Sequence, residues 1–362
     1  MFHLLRLFVF LFAFIFISAI VRYVSAIYRK INRQRYRRIT EFAEAVEFLK
    51  TTNLTSRARA NAHLRAALDI MNPFVASSET FHDEYVKRIR QRLSQVEWQA
   101  IVLCAQTMMT RVPEMKTVKD VRRCVRAVVM NIAMTIFGVT GYDYNDLLQI
   151  GALINALWLA AKEPQFDTTG LREELYSILK QFQVSEFIEE IANISDVSVE
   201  RAILSVLIPA YETMYRVALP VLFHSKEVSF ERFLSPQSSI STLNSTTEIG
   251  HSYISLIRET LRLYPVVKKI KRDTSTEKLA VDIEGIQHGR TWVDPLEFRP
   301  ERWSDGEVGG YMPFGAGIGR CIANEYLVGR IVCIALAVIT PHLPQLSDEE
   351  GKILLQNDRG QG

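Results

Sequence analysis

The chain has 362 residues, 48% of them hydrophobic and 23% charged, with a formal net charge of +3. That is ample for one large core or two smaller ones, and too small a charge to argue for a nucleic-acid partner. Its four cysteines (Cys104, Cys124, Cys321, Cys333) include no CxxC pair and no zinc spacing, which excludes a disulfide framework and suits a reducing compartment.

Residues 7–21 form an uncharged apolar run. If Arg22 snorkels, the run extends to Tyr28 and gives 22 residues, enough to span a bilayer as a helix. Arg29, Lys30, Arg33, Arg35, Arg37 and Arg38 follow directly and put that flank on the cytosolic side. A cleaved signal peptide is the competing reading, because the uninterrupted run is 15 residues long. Sequons at Asn53, Asn193 and Asn244 matter only for the reverse orientation. The organisation expected is a transmembrane anchor over 1–28, a basic linker and first helix over 29–56, one continuous domain over 57–345 and a polar tail over 346–362.

The domain reads as helical. Apolar spacing predicts helices over Glu41–Lys50, Ala58–Met71, Phe81–Arg111, Val118–Phe137 (stopped by Gly138), Asn145–Lys162 and Leu171–Ile194. Cys104, Cys124 and Cys333 lie in such apolar runs and read as core. Val199–His224 is a further apolar helix with Glu212-Thr213 in its middle, where a buried acid and hydroxyl are costly without a partner or a purpose. Pro209 should kink it. His251–Tyr264 carries Glu259 and Arg262 on one face, three residues apart, so they can pair. Val266–Pro295 is expected to hold a small β-sheet, and Phe298-Arg-Pro-Glu-Arg302-Trp303 follows.

Pro313–Ala323 reads Pro-Phe-Gly-Ala-Gly-Ile-Gly-Arg-Cys-Ile-Ala and runs into an apolar helix over Ile322–Ile339. Gly315, Gly317 and Gly319 let the backbone approach a flat ligand. A cysteine at a helix start favours the thiolate, which is a good axial ligand for haem iron. The plainer reading is a buried structural cysteine.

The spacing Phe314-x-x-Gly317-x-x-x-Cys321-x-Ala323 resembles the haem-ligand loop of the cytochrome P450 family. Glu259-x-x-Arg262 and Pro300-Glu-Arg302-Trp303 resemble two further family motifs, in the family's order. Pro209-Ala210-Tyr211-Glu212-Thr213-Met214 resembles its distal-helix signature, with Ala210 where Gly is usual. His63 and Arg65 ahead of Asn72-Pro73-Phe74 resemble a helix of fungal members. The resemblance implies a mainly α fold with small β-sheets, abbreviated at the N-terminal side.

It also implies haem b, with Cys321 as axial ligand of the iron and Glu212 and Thr213 delivering protons. Phe314, Gly317, Arg320, Arg272, His63 and Arg65 would contact the cofactor, and Glu259, Arg262 and Arg302 would form a buried structural triad. Such proteins insert one oxygen atom from dioxygen into a lipophilic substrate, with electrons from an NADPH-cytochrome P450 reductase at the endoplasmic reticulum membrane. Departures stand beside this. Gly319 occupies the place of a usual basic residue, Arg330 that of a usual Glu, and Trp98 has Val102 where the propionate-clamping Arg is expected. A second reading therefore remains open: a P450-like membrane protein without catalytic activity.

Overall fold

Side chains placed ahead of apolar runs set several helix starts. The computed structural model describes residues 36–162, 166–225, 248–304, 309–323 and 325–345, with isolated positions nearer each end. The expected anchor over 1–28 therefore lies almost wholly outside the described residues. Reciprocal capping boxes (Thr117 with Asp120, Asp143 with Asp146) open α6 (Val118–Phe137) and α7 (Tyr144–Ala160). Ser198 caps α10 (Val199–His224) by accepting from Arg201 N. Gly138, at φ 73°, ends α6 as its sequence position predicts.

The remaining helices are α1 (Phe42–Thr51), α2 (Leu54–Ala60), α3 (Ala62–Leu68), α4 (Glu79–Ser94), α5 (Trp98–Met109), α8 (Thr169–Leu179), α9 (Glu186–Ser195), α11 (Glu248–Leu263), the short α12 (Ile283–Gln287) and α13 (Glu325–Ile339). Three segments expected as single helices are each split in two. The stretch 58–71 breaks at Asn61, whose side-chain amide donates to Phe74 O. The stretch 81–111 is divided between α4 and α5. The stretch 171–194 is interrupted because β3 (Gln183–Val184) pairs antiparallel with β2 (Val139–Thr140). Neither contact has a local sequence signal.

The second sheet has three strands in the order β1 (Arg37–Ile39), β5 (Lys278–Asp282), β4 (Lys269–Asp273). β4 and β5 pair antiparallel within the span expected to hold a small β-sheet. β1 pairs parallel with β5, Ile39 opposite Val281, so the end of the basic segment is built into the sheet. Ile39 is buried there while Arg37 and Arg38 stay exposed.

The main core runs from Leu68 to Ile339 and centres on α6 and α10. Val128–Met134 of α6 is buried all round, as expected for a helix surrounded by others. α10 packs against α6, α9, α11 and α13 and continues as one helix of 26 residues through Pro209 and Pro220. Among the described residues it is the one helix long and apolar enough to cross a membrane. Most of that apolar stretch is buried inside the protein, which makes it a core helix here. Two sequence departures meet between α5 and α13, where the Arg330 guanidinium lies 4.9 Å from the centroid of the Trp98 ring, an attractive cation–π contact.

Candidate cofactor site

α11, the 3-10 turn Pro300–Trp303 and the loop before it converge on one carboxylate. Glu259 takes a bidentate pair from Arg262, Nε to Oε2 at 2.9 Å and Nη2 to Oε1 at 2.7 Å. Arg302 Nε adds 3.1 Å to Oε1, Trp303 Nε1 adds 3.2 Å to Oε2, and Arg299 N adds 2.9 Å to Oε1. Glu259, Arg262 and Arg302 are all fully buried. One anion between two cations leaves a positive charge inside the protein. Backbone carbonyls answer it: Arg262 also donates to the carbonyls of Gln287, Pro295 and Glu297, and Arg302 to that of Val293. The Trp292 ring lies beside both guanidiniums.

Gln287 carries this order towards the cysteine loop. Its amide donates to the carbonyls of Leu261 and Arg262 at the end of α11, and its Oε1 accepts from Met312 N, just ahead of Pro313. Gln287, Trp292 and Trp303 are contributions the motif spacing does not reveal.

The loop itself is fixed from both ends. Cys321 N donates to Phe314 O at 2.9 Å and closes it. Gly317 sits at φ +66°, and a Cβ there would collide with Leu49 O at the end of α1. The expected close approach at this glycine is thus to the protein's own backbone, which anchors the loop on α1. Gly317→Ala should cost at least about 1–2 kcal/mol from its backbone conformation alone, with the clash added. A thermal melt that moves by less than about 2 °C would contradict this.

Cys321 is solvent-accessible within a densely surrounded recess. The helix after it begins at Glu325 rather than Ile322, so the thiol stands a full turn before the helix start and the helix dipole does not act on it directly. Burial pushes its pKa up, against the Ala323 N–H and Arg320, which pull it down. A coordinating cation reverses that balance outright.

Basic side chains gather beside the loop. Arg272 on β4 and Arg57 on α2 are each only 5% exposed. Arg57 Nε and Nη2 and Arg272 Nε have no hydrogen-bond partner, and neither guanidinium has an ion-pair partner among the described residues. Burial lowers the pKa of each to about 10, and Arg57 also pushes Arg272 down. His63 sits near enough to Lys271 that burial and that charge lower its pKa. Arg65 and Arg320 are exposed. The structure thus brings Arg272 to the loop and adds Arg57, while His63 neighbours Lys271 on the same strand as Arg272.

Glu212 and Thr213 each make a hydrogen bond within α10. Glu212 is buried and its Oε2 accepts from Arg216 Nη2 at 3.1 Å. Thr213 Oγ1 donates to Pro209 O at 2.6 Å. Pro209, Ala210, Thr213 and Arg216 are partly exposed on an otherwise buried stretch of helix, so one stripe at helical spacing borders space the protein does not fill.

A family model for cytochrome P450 matches residues 254–324, the span from α11 through the cysteine loop. Over that span the chain resembles the cytochrome P450 family. A 114-residue stretch of the chain is 34% identical to lithocholate 6-beta-hydroxylase of Mesocricetus auratus, covering 25% of this chain and 22% of that one. Over 127 residues it is 34% identical to protopine 6-monooxygenase of Eschscholzia californica, covering 29% and 24%. These matches thus span under a quarter of each relative's length. Solved cytochromes P450 share the fold. A variant of cytochrome P450 OleT in complex with arachidonic acid superposes with a TM-score of 0.58 at 15% identity, over 83% of this chain and 80% of that one. The structure of CYP154A1 from Streptomyces coelicolor A3(2) gives 0.56 at 14% identity, over 84% and 82%.

The cofactor of a P450 is haem, and the residues present fit it. The accessible thiol of Cys321 would supply a thiolate ligand to the iron. Beside it, two buried guanidiniums with unsatisfied N–H groups and no carboxylate partner suit an acid-bearing cofactor edge.

Proposed function

We propose that the protein is a haem-thiolate monooxygenase that inserts one atom of dioxygen into a lipophilic organic substrate. Electrons would come from an NADPH-dependent cytochrome P450 reductase. The observation that carries this is the accessible Cys321 beside the unpaired Arg57 and Arg272. When bound, haem supplies the redox chemistry of oxygen activation.

The chain's own residues do the rest. Cys321 would ligate the iron as thiolate, and Phe314 and Gly317 would hold the loop that presents it. Arg272 would offer its free Nε to the acidic edge, with Arg65 and Arg320 adding positive charge and His63 a neutral imidazole. Proton movement would run through a water that Thr213 Oγ1 holds as acceptor on the partly exposed stripe of α10. The hydroxyl hydrogen is committed to Pro209 O, so its lone pairs face outward to accept. Glu212 joins the relay by exchanging Arg216 for water. The apolar run 7–28 and the basic residues after it support a single-pass anchor in the endoplasmic reticulum membrane, with the catalytic domain in the cytosol.

The test is a reduced, carbon-monoxide-bound difference spectrum on membranes containing the full chain. A red-shifted Soret band is expected; its absence with haem supplied would favour the non-catalytic reading. Thr213→Ala should retain that band while diverting NADPH electrons to hydrogen peroxide. Unchanged coupling would remove Thr213 from the relay.

A further inference from the structure

A Cβ built on Gly319 would lie 2.9 Å from Arg272 Nη2, 3.1 Å from Arg57 Nη1 and 3.8 Å from Arg57 Cδ. The space that a side chain at residue 319 would occupy is therefore filled by the ends of two other side chains. We infer that Arg57 and Gly319 form a complementary pair: Arg57, reaching from α2, supplies the positive charge at this point of the cysteine loop and binds a cofactor carboxylate, and residue 319 is glycine to admit it. This rests on the haem reading above and assigns the group that holds the acid edge at the loop.

Burying a guanidinium without a counter-charge costs several kcal/mol, and this chain buries two side by side. Neither has an acidic neighbour that offsets its desolvation: burial alone perturbs Arg57, and burial with Arg57's own charge perturbs Arg272. Asp273, the next residue on β4, is paired with Lys278 instead, and Lys271 adds a further positive charge on the same strand. Arg57 is also positioned with care. Asn53 caps α2 by accepting from Ser56 N, and Leu54 and Ser56 are buried beside it. Arg272 uses Nη1 on Lys271 O and keeps Nε without a partner, and the ends of both guanidiniums meet at residue 319. Arg320 is exposed and does not fill this position. An arginine pair in such a place matches carboxylate geometry.

The test measures how fast the full-length holoprotein loses haem to an excess of a haem-scavenging apoprotein, and compares haem with its dimethyl ester. Removing one charged hydrogen-bond partner should speed haem loss about 10- to 100-fold in Arg57→Ala. Gly319→Arg alone should also speed it, because a third guanidinium is forced against two. The double variant Arg57→Ala with Gly319→Arg should return to within a few-fold of the parent. If Arg57→Ala loses haem at the parental rate, or the double variant is no better than Arg57→Ala, the inference fails while the haem reading stands. If the parent retains no haem at all, both fail. Should Arg57→Ala not fold, the parent protein still decides: equal retention of haem and its dimethyl ester overturns the assignment, and a clear preference for the free acid supports it.

Discussion

Glu259→Ala is expected to abolish the folded domain rather than alter its chemistry. The carboxylate accepts from Arg262 twice, from Arg302, from Trp303 and from Arg299 N. Removing it leaves two guanidiniums with no accessible surface confronting each other without an anion. Breaking a buried pair by deleting one partner typically costs about 3–5 kcal/mol. Here one deletion orphans two cations, against a whole-domain stability of about 5–15 kcal/mol. The loss spreads, because Arg262 also fixes the carbonyls of Gln287, Pro295 and Glu297, and Gln287 holds Met312 at the entry to the cysteine loop. Soluble expression, circular dichroism melting and haem content should therefore fall together. Glu259→Gln keeps the shape and one acceptor, so it should be the milder change. A Glu259→Ala protein that melts within about 2 °C of the parent would show that the carbonyls alone satisfy both arginines.

The triad is legible in the sequence because it is written in spacing: Glu259 and Arg262 lie three apart on a helix, with Arg302 in a distinctive four-residue stretch. α6 is legible to its last residue because its apolar period, its capping box and Gly138 are all local. What stays hidden depends on contacts far along the chain. β1 pairs with residues about 240 positions away, and three residues carry too little pattern to announce a strand. The break at Asn61 answers to Phe74. Arg57 reads as one of several basic residues in an alanine-rich run. The signal that points to it is Gly319, a missing side chain where charge is expected, which invites a search for the group that fills the gap. The distal-helix acid shows the opposite case. Its position is readable, but its pairing with Arg216 one turn on emerges only in the structure.

Cys321→Ser should give the complementary result: an intact fold without thiolate ligation. The substitution is nearly isosteric, and the hydrogen bond that closes the loop at this residue, Cys321 N to Phe314 O, uses the backbone. The side chain is solvent-accessible, so no packed contact in the core depends on sulfur. The melting temperature of the cofactor-free chain should stay within about 2 °C of the parent. The reduced carbon monoxide band should lose its thiolate position entirely, since serine oxygen is a poor donor to this iron and Cys321 is the one cysteine in the loop. Burial already raises the thiol's pKa against the pull of Arg320 and the Ala323 N–H, so the free protein keeps the thiol protonated at neutral pH, and ligation itself must drive the proton off. That makes sulfur identity, rather than a pre-formed charge, the quantity the spectrum reads. The two substitutions separate cleanly: Glu259→Ala removes fold and band together, whereas Cys321→Ser removes the band alone. A Cys321→Ser protein that kept the red-shifted band would place the iron on a different sulfur and overturn the site.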